Sequence, residues 1–283
     1  MIKRILFLIL LCITTTILTA QQDNPEIPKI KGNYLGISGG LGIGSLRDLS
    51  TSPLFYTSVL PAVAIDYKLY CKEYLWGFNF TTLNGFNILF IDSDFYMGSS
   101  NIFDFDLNVY QNFMESSDKR LKQFIGGSLT NSTNLRMNGS FGNASITFNN
   151  FTDANLNYKV DFQYIRPEKK KKFLWIFNYT RKEKFYLLSG KIGVPIYTYI
   201  FSPGYTNPGN ATLNDDEIFS GYKRSDKIFS GLNTDISISR ILKNGNMLKY
   251  TYYWSARTTG RSSQNPINIS NHMFLFTLVY KIN

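Results

Sequence analysis

Between residues 156 and 164 the chain reads LNYKVDFQY, and every second side chain is apolar. Leu156, Tyr158, Val160, Phe162 and Tyr164 share one face of an extended backbone, while Asn157, Lys159, Asp161 and Gln163 share the other. This period of two belongs to a strand with one apolar and one polar face, because successive side chains of a strand point to opposite sides. It recurs through most of the chain after residue 32. Phe103, Phe105, Leu107 and Val109 oppose Asp104, Asp106 and Asn108. Leu248, Tyr250, Tyr252 and Trp254 oppose Lys249, Thr251, Tyr253, Ser255 and Arg257, and Leu232, Ile236 and Ile238 oppose Asn233, Asp235, Ser237 and Ser239. No comparable helical period appears beyond the first twenty residues, so the fold class is all-β.

The first residues follow a different logic. Lys3 and Arg4 precede an apolar run, ILFLILLCI, and TTTILTA then leads to a cleavage position after Ala20. That is the layout of a secretory signal peptide, 1–20, followed by a short periplasmic lead-in, 21–31, and a single domain, 32–283. Leu11 before Cys12 argues against a lipidated cysteine, which wants a small residue there. Removal of the signal leaves Cys71 as the one cysteine, so the exported chain has no internal disulfide. The formal charge of +10 becomes +8 without Lys3 and Arg4. For an exported chain without a basic helix this excludes nucleic acid as the expected partner and favours anionic headgroups or solutes.

Thirteen strand candidates are legible: 33–44, 59–70, 74–83, 86–96, 101–113, 121–137, 139–150, 156–166, 172–180, 184–200, 226–242, 246–258 and 272–282. Cys71-Lys72-Glu73 reads as a tight turn, and the Asn-Gly pair in KNGN (243–246) favours a two-residue hairpin. The segments 45–58, 201–225 and 259–271 read as long polar loops. Two tight turns on the same side of a barrel must be separated by an even number of strands. Removing 86–96, where Asp92 and Asp94 spoil the apolar face, gives about twelve, within a range of ten to fourteen.

Alternation does not say which face points outward. Aromatic residues are 16% of the chain and charged residues only 18%, against roughly 25% charged in an ordinary globular protein. Trp76, Trp175, Trp254 and Tyr280 fall near strand ends on apolar faces, where interfacial aromatics sit in a bilayer. The chain closes on HMFLFTLVYKIN, with Phe274, Phe276, Leu278 and Tyr280 alternating and Asn283 last.

With its signal peptide, amphipathic strands, short turns alternating with long loops, and aromatic final strand, the chain resembles Gram-negative outer-membrane β-barrel proteins. The resemblance is architectural. It implies an antiparallel barrel in the outer membrane, both termini in the periplasm, and contact with outer-membrane lipid. It further implies recognition by the barrel-insertion machinery through residues 272–283. The family usually ends on an aromatic residue, and Asn283 departs from that.

The polar faces then line a lumen, with Asp104, Asp106, Lys159, Asp161, Asp235, Lys249 and Arg257 as its expected charged residues. The leading reading is porin-like or channel-like passage of small polar solutes. The alternative is a closed structural or surface-recognition barrel, and the third a lipid or peptide hydrolase. A hydrolase would draw on His272, the one histidine, with Ser270 nearby but no acid in view; no catalytic site is expected. The glycines of YLGISGGLGIG lack a dinucleotide spacing and read as small lumen-facing residues. No cysteine–histidine set exists for zinc, and neither a metal nor a cofactor is expected. Asn214-Asp215-Asp216-Glu217 reads as a solvated acidic loop, and PEKKKK (167–172) as a charged turn suited to anionic headgroups.

Overall fold

The computed structural model describes residues 30–49, 52–91, 94–137, 146–173, 177–203, 222–260 and 266–282. Residues 1–29, which hold the expected signal peptide and most of the expected lead-in, lie outside them, as does the acidic stretch 214–217. The strands are β1 (Gly32–Asp48), β2 (Ser52–Tyr70), β3 (Tyr74–Ile91), β4 (Asp94–Glu115), β5 (Leu121–Met137), β6 (Ile146–Arg166), β7 (Lys169–Phe173), β8 (Phe177–Arg181), β9 (Lys184–Pro203), β10 (Tyr222–Lys227), β11 (Gly231–Ile241), β12 (Met247–Thr258) and β13 (Ile267–Ile282). Every pairing is antiparallel, and the sheet closes twice over: β1 pairs with β13, and β6 with β9.

The wall has ten positions rather than twelve. β10 and β11 both run along β9, from Tyr222↔Pro203 to Lys227↔Thr198 and then from Asn233↔Gly193 to Ile241↔Phe185. They are one wall strand interrupted by a bulge, where Phe229 takes a φ of 53°. β7 and β8 form a separate two-stranded hairpin, so the candidate at 172–180 is no part of the wall. Residues 146–150 of the candidate 139–150 and the candidate 156–166 fall on the single strand β6, while 139–145 lie outside the described residues. Residues 86–96 are the end of β3 and the start of β4, a hairpin rather than a strand of its own. The last two corrections share a cause. The strands run up to 22 residues, whereas about 9–11 cross a bilayer, so one strand offered the sequence reading two segments to count.

The same length shrinks the expected loops. Residues 45–48 belong to β1, 52–58 to β2 and 267–271 to β13, and 201–203 and 222–225 are also strand. Polar side chains there belong to strand ends rather than to loops, because ladder pairing outlasts the apolar stretch.

The β2–β3, β4–β5 and β11–β12 turns at one end are short. Cys71 N donates to Tyr74 O at 2.8 Å, and Leu242 N donates to Asn246 O at 2.8 Å. The second closes a three-residue loop with Gly245 at φ 84°, not the two-residue hairpin expected. The start of β1 and the end of β13 lie at this end too, as does the β7–β8 hairpin with its lysines.

The outward face is apolar: Phe274 is 55% exposed, Tyr250 60% and Ile236 65%. The inward face is polar and largely buried, with Asp48, Asn149, Asp153 and Thr198 wholly so. A soluble barrel has the reverse arrangement. Among the described residues no helix is long and apolar enough to cross a membrane, which leaves crossing by strands untouched.

Glycines shape the cross-section. A β-carbon on Gly40 would lie 1.9 Å from the carbonyl oxygen of Phe274, and one on Gly126 2.0 Å from that of Val109. At both points the strand rolls against its neighbour's backbone so closely that only hydrogen fits, which is how a barrel wall turns a corner. Gly40 therefore packs edge-on against β13, while Gly36, Gly42 and Gly44 face inward as read from sequence.

Candidate functional site

A ten-stranded barrel is slightly wider than the eight-stranded kind whose interior side chains just fill. Here opposite walls meet. β1 and β6 stand five positions apart around the ten and so face each other, yet Asn149 Nδ2 of β6 donates to Asp48 Oδ2 of β1 at 3.2 Å. Arg136 Nη2 of β5 donates to the same oxygen at 2.7 Å. Just beneath, Leu46, Phe151, Ile200, Ile267 and Ile269 form an apolar cluster that again joins β1 and β13 to β6 and β9. The loop-end mouth is thus crossed by an ion pair and an apolar contact.

The turn end is closed differently. Tyr34, Leu187, Ile241, Met247 and Val279 pack into one buried cluster, and Leu75, Tyr110 and Phe124 into another. Tyr70 packs against both, its ring 5.5 Å from that of Tyr34 and edge-on. This is an apolar floor, and a further buried apolar cluster of Leu60, Ala62, Ala64, Leu83, Ile102, Met273 and Leu275 lies on the inner face of the wall.

Between mouth and floor lies a chamber of about 170 Å³. Of the seven lumen residues expected from sequence, Asp104, Asp106, Lys159, Asp235, Lys249 and Arg257 line it. Asp161 also points inward but sits toward the floor, bonded to Lys159 and Ser189. The structure brings in six charged residues that the sequence reading missed: Asp48, Asp66, Lys68, Arg136, Asp153 and Lys191. Lys191 joins walls three positions apart, reaching Asp235 at 3.1 Å and Asp106 at 4.0 Å. Arg257 Nη2 donates to Asp153 Oδ2 at 2.8 Å, and Thr198 donates to its other oxygen at 2.8 Å. Lys68 lies 3.9 Å from Asp66. Asp66 and Lys68 could have been found: they share the face of Leu60, Ala62 and Ala64. There both faces are apolar, and the alternation that flags a lumen residue is lost.

Five cationic and four anionic side chains line the chamber, so it is close to neutral overall but strongly polar in detail. Charges this well buried stay ionised only when paired. Among the described residues no group of histidine, cysteine and carboxylate side chains has the makings of a metal site.

The outward residues are placed as follows. Trp76 is 51% and Tyr280 46% exposed, both near the turn end. Trp254 is half-buried toward the loop end, its Nε1 donating to Ser270 Oγ at 3.2 Å. Trp175 lies outside the described residues. His272 is on the outward face with its Nδ1 2.8 Å from Tyr252 Oη and its ring beside that of Trp254. Ser270 therefore serves Trp254 rather than His272, and the pair forms no nucleophile–base arrangement.

No protein-family model matches the chain. No curated protein matches it in sequence. Solved structures do resemble it in shape. The translocator domain of the autotransporter NalP from Neisseria meningitidis aligns over 89% of this chain and 89% of that chain, at 9% identity and a TM-score of 0.36. The outer-membrane protein OprG from Pseudomonas aeruginosa aligns over 91% of this chain and all of its own, at 8% identity and 0.32. The Pseudomonas putida toluene transporter TodX aligns over 90% of each, at 6% identity and 0.31. At such scores two barrels share an architecture and nothing finer.

Proposed function

We propose that this is an outer-membrane barrel of the channel type, exported by residues 1–20 and inserted through its final strand. In this reading it passes small polar solutes along its charged lumen and is held shut here at the mouth. The observation that carries the reading is the chamber: nine charged side chains around about 170 Å³ in the middle of the barrel. Stability alone does not call for them. A buried ion pair replaced by well-packed apolar residues commonly leaves a protein as stable or more so. The Asp48–Arg136 pair then acts as a latch. It is a polar link across the mouth beside Asn149, and opening the mouth also parts the apolar contact of Leu46, Ile267 and Ile269 with Phe151 and Ile200 beneath it. No catalytic role is assigned, since His272 faces outward and has no carboxylate partner among its described contacts.

A second reading has its own observation. The floor built from Tyr34, Tyr70, Tyr110 and Phe124 is closed by ring packing rather than by an ion pair, which suits a closed scaffold that acts through its loops.

Fractionation of the outer membrane, with gel mobility of boiled and unboiled samples, tests location and barrel together. Enrichment with a heat-dependent shift is expected. Planar-bilayer recording then separates the two readings. The channel reading expects small conductance steps from the native protein and larger ones from Asp48→Asn combined with Arg136→Gln. Silence from both, with folded barrels on the gel, leaves the closed scaffold.

A further inference from the structure

The chamber is polarised across its width. β4 and β12 stand five positions apart in a wall of ten and so face each other. β4 supplies Asp104 and Asp106, each with a buried Oδ1 that has no hydrogen-bond partner. β12 supplies Lys249, whose ammonium has no carboxylate oxygen within 4.0 Å among the described residues. Lys68 of β2 lines the same chamber, 3.9 Å from Asp66. Lys249 on β12 and the two unpartnered, enclosed Oδ1 atoms on the facing β4 form complementary poles of one chamber, with Lys68 reaching in from β2 beside Asp66 and Lys191 4.0 Å from the other oxygen of Asp106.

Two further chamber residues carry unmet capacity. Asn233 is 5% exposed and its Oδ1 accepts nothing; Arg257 is 8% exposed and its Nε donates to nothing. Buried polar atoms left without partners are rare in folded proteins, and several around one cavity indicate something polar that fits between them.

We infer that the chamber is a binding site for a small zwitterion of the α-amino-acid class, its ammonium toward Asp104 and Asp106 and its carboxylate toward Lys249 and Lys68. A simple anion or cation satisfies one pole and leaves the other unpaired, which is the more costly arrangement in a buried site. The size agrees: an apolar cavity of about 150 Å³ accommodates benzene, so about 170 Å³ suits a solute of similar bulk. The inference rests on the channel reading and names the solute class for it.

The test is equilibrium binding to the full-length purified barrel in detergent, followed by saturation-transfer NMR. The probes are L-alanine, propionate and ethylammonium. The same measurements are made on Asp48→Asn/Arg136→Gln, so that a shut mouth does not hide the site. L-alanine is expected to bind, with the two singly charged probes weaker by about tenfold, the worth of one charge-assisted hydrogen bond. Lys249→Met and Asp104→Asn should each weaken L-alanine by a similar factor. Lys249→Met should leave ethylammonium, and Asp104→Asn propionate, where they were. Absence of L-alanine binding in both barrels, with the heat-dependent mobility shift intact, overturns the inference and assigns the chamber to water. Equal binding of all three probes overturns it too. Conductance without L-alanine binding sinks the solute class alone, whereas binding without conductance sinks the channel reading alone.

Discussion

The mouth and the floor both close the lumen, by opposite chemistry. The mouth relies on a carboxylate, Asp48, held by Arg136 and Asn149 from facing strands. The floor relies on Tyr34, Tyr110, Phe124 and their neighbours, which pack into apolar clusters. A charge pair is directional and can be exchanged for water or solute. A packed aromatic floor is non-directional and resists opening in proportion to the area it buries. In the channel reading, the mouth is the end that opens and the floor the end that stabilises.

The largest expected effect breaks the floor. Phe124→Ala should destabilise the folded barrel by about 3–5 kcal/mol, read from urea midpoints in lipid vesicles, with little response to salt. An equal loss that vanishes in high salt would show that the floor is electrostatic after all, through Lys159, which sits 5.0 Å over that ring. The mouth comes next. Arg136→Met leaves Asp48 buried without its cation and should cost about 3 kcal/mol or slightly more by the same measurement. Exchanging both residues for leucine should recover most of that, ending within about 1 kcal/mol of the native protein. If the double variant stays as unstable as the single one, the pair is structural, and the contrast between the two ends fails.

The outward face gives a third effect, equal at both ends. Phe274→Arg places a charge on the lipid side and should cost about 2–4 kcal/mol if that residue lies near the bilayer midplane. A cost close to zero would place it at the interface instead. The smallest effect belongs to the turn at Asp118. Partial burial works against its charge. Hydrogen bonds from the Ser116 hydroxyl and the Arg120 amide, with the Arg120 guanidinium 3.6 Å away, outweigh this and hold the carboxyl below its ordinary value. A lowered folded-state value stabilises above the unfolded carboxylate pKa, about 4, and the benefit is lost as pH falls through the folded value. Asp118→Asn should therefore lower the urea midpoint slightly at pH 7 and not at all at pH 2, since the group is well exposed.

Face assignment was legible strand by strand. Phe274, Phe276, Leu278 and Tyr280 point outward, and Lys249, Asp235 and Arg257 inward, as their alternation predicts. Strand number was not, because strands up to 22 residues long read as two, and a hairpin outside the wall reads as one inside it. Asp153 escaped notice because it falls between two segments read as separate strands, and Arg136 because it sits where one seems to end.

Local chemistry determined that this chain is all-β and which side chains of a strand share a face. Those properties depend on a residue and its neighbours two apart. Tertiary structure decided that Asp48 meets Arg136, 88 residues away, and that Asp104 and Lys249 stand on facing walls. Partners across a barrel are set by the number of strands, the stagger between them and the corners where glycine lets the wall turn. No one strand's pattern carries that information, because each is a property of the closed ring.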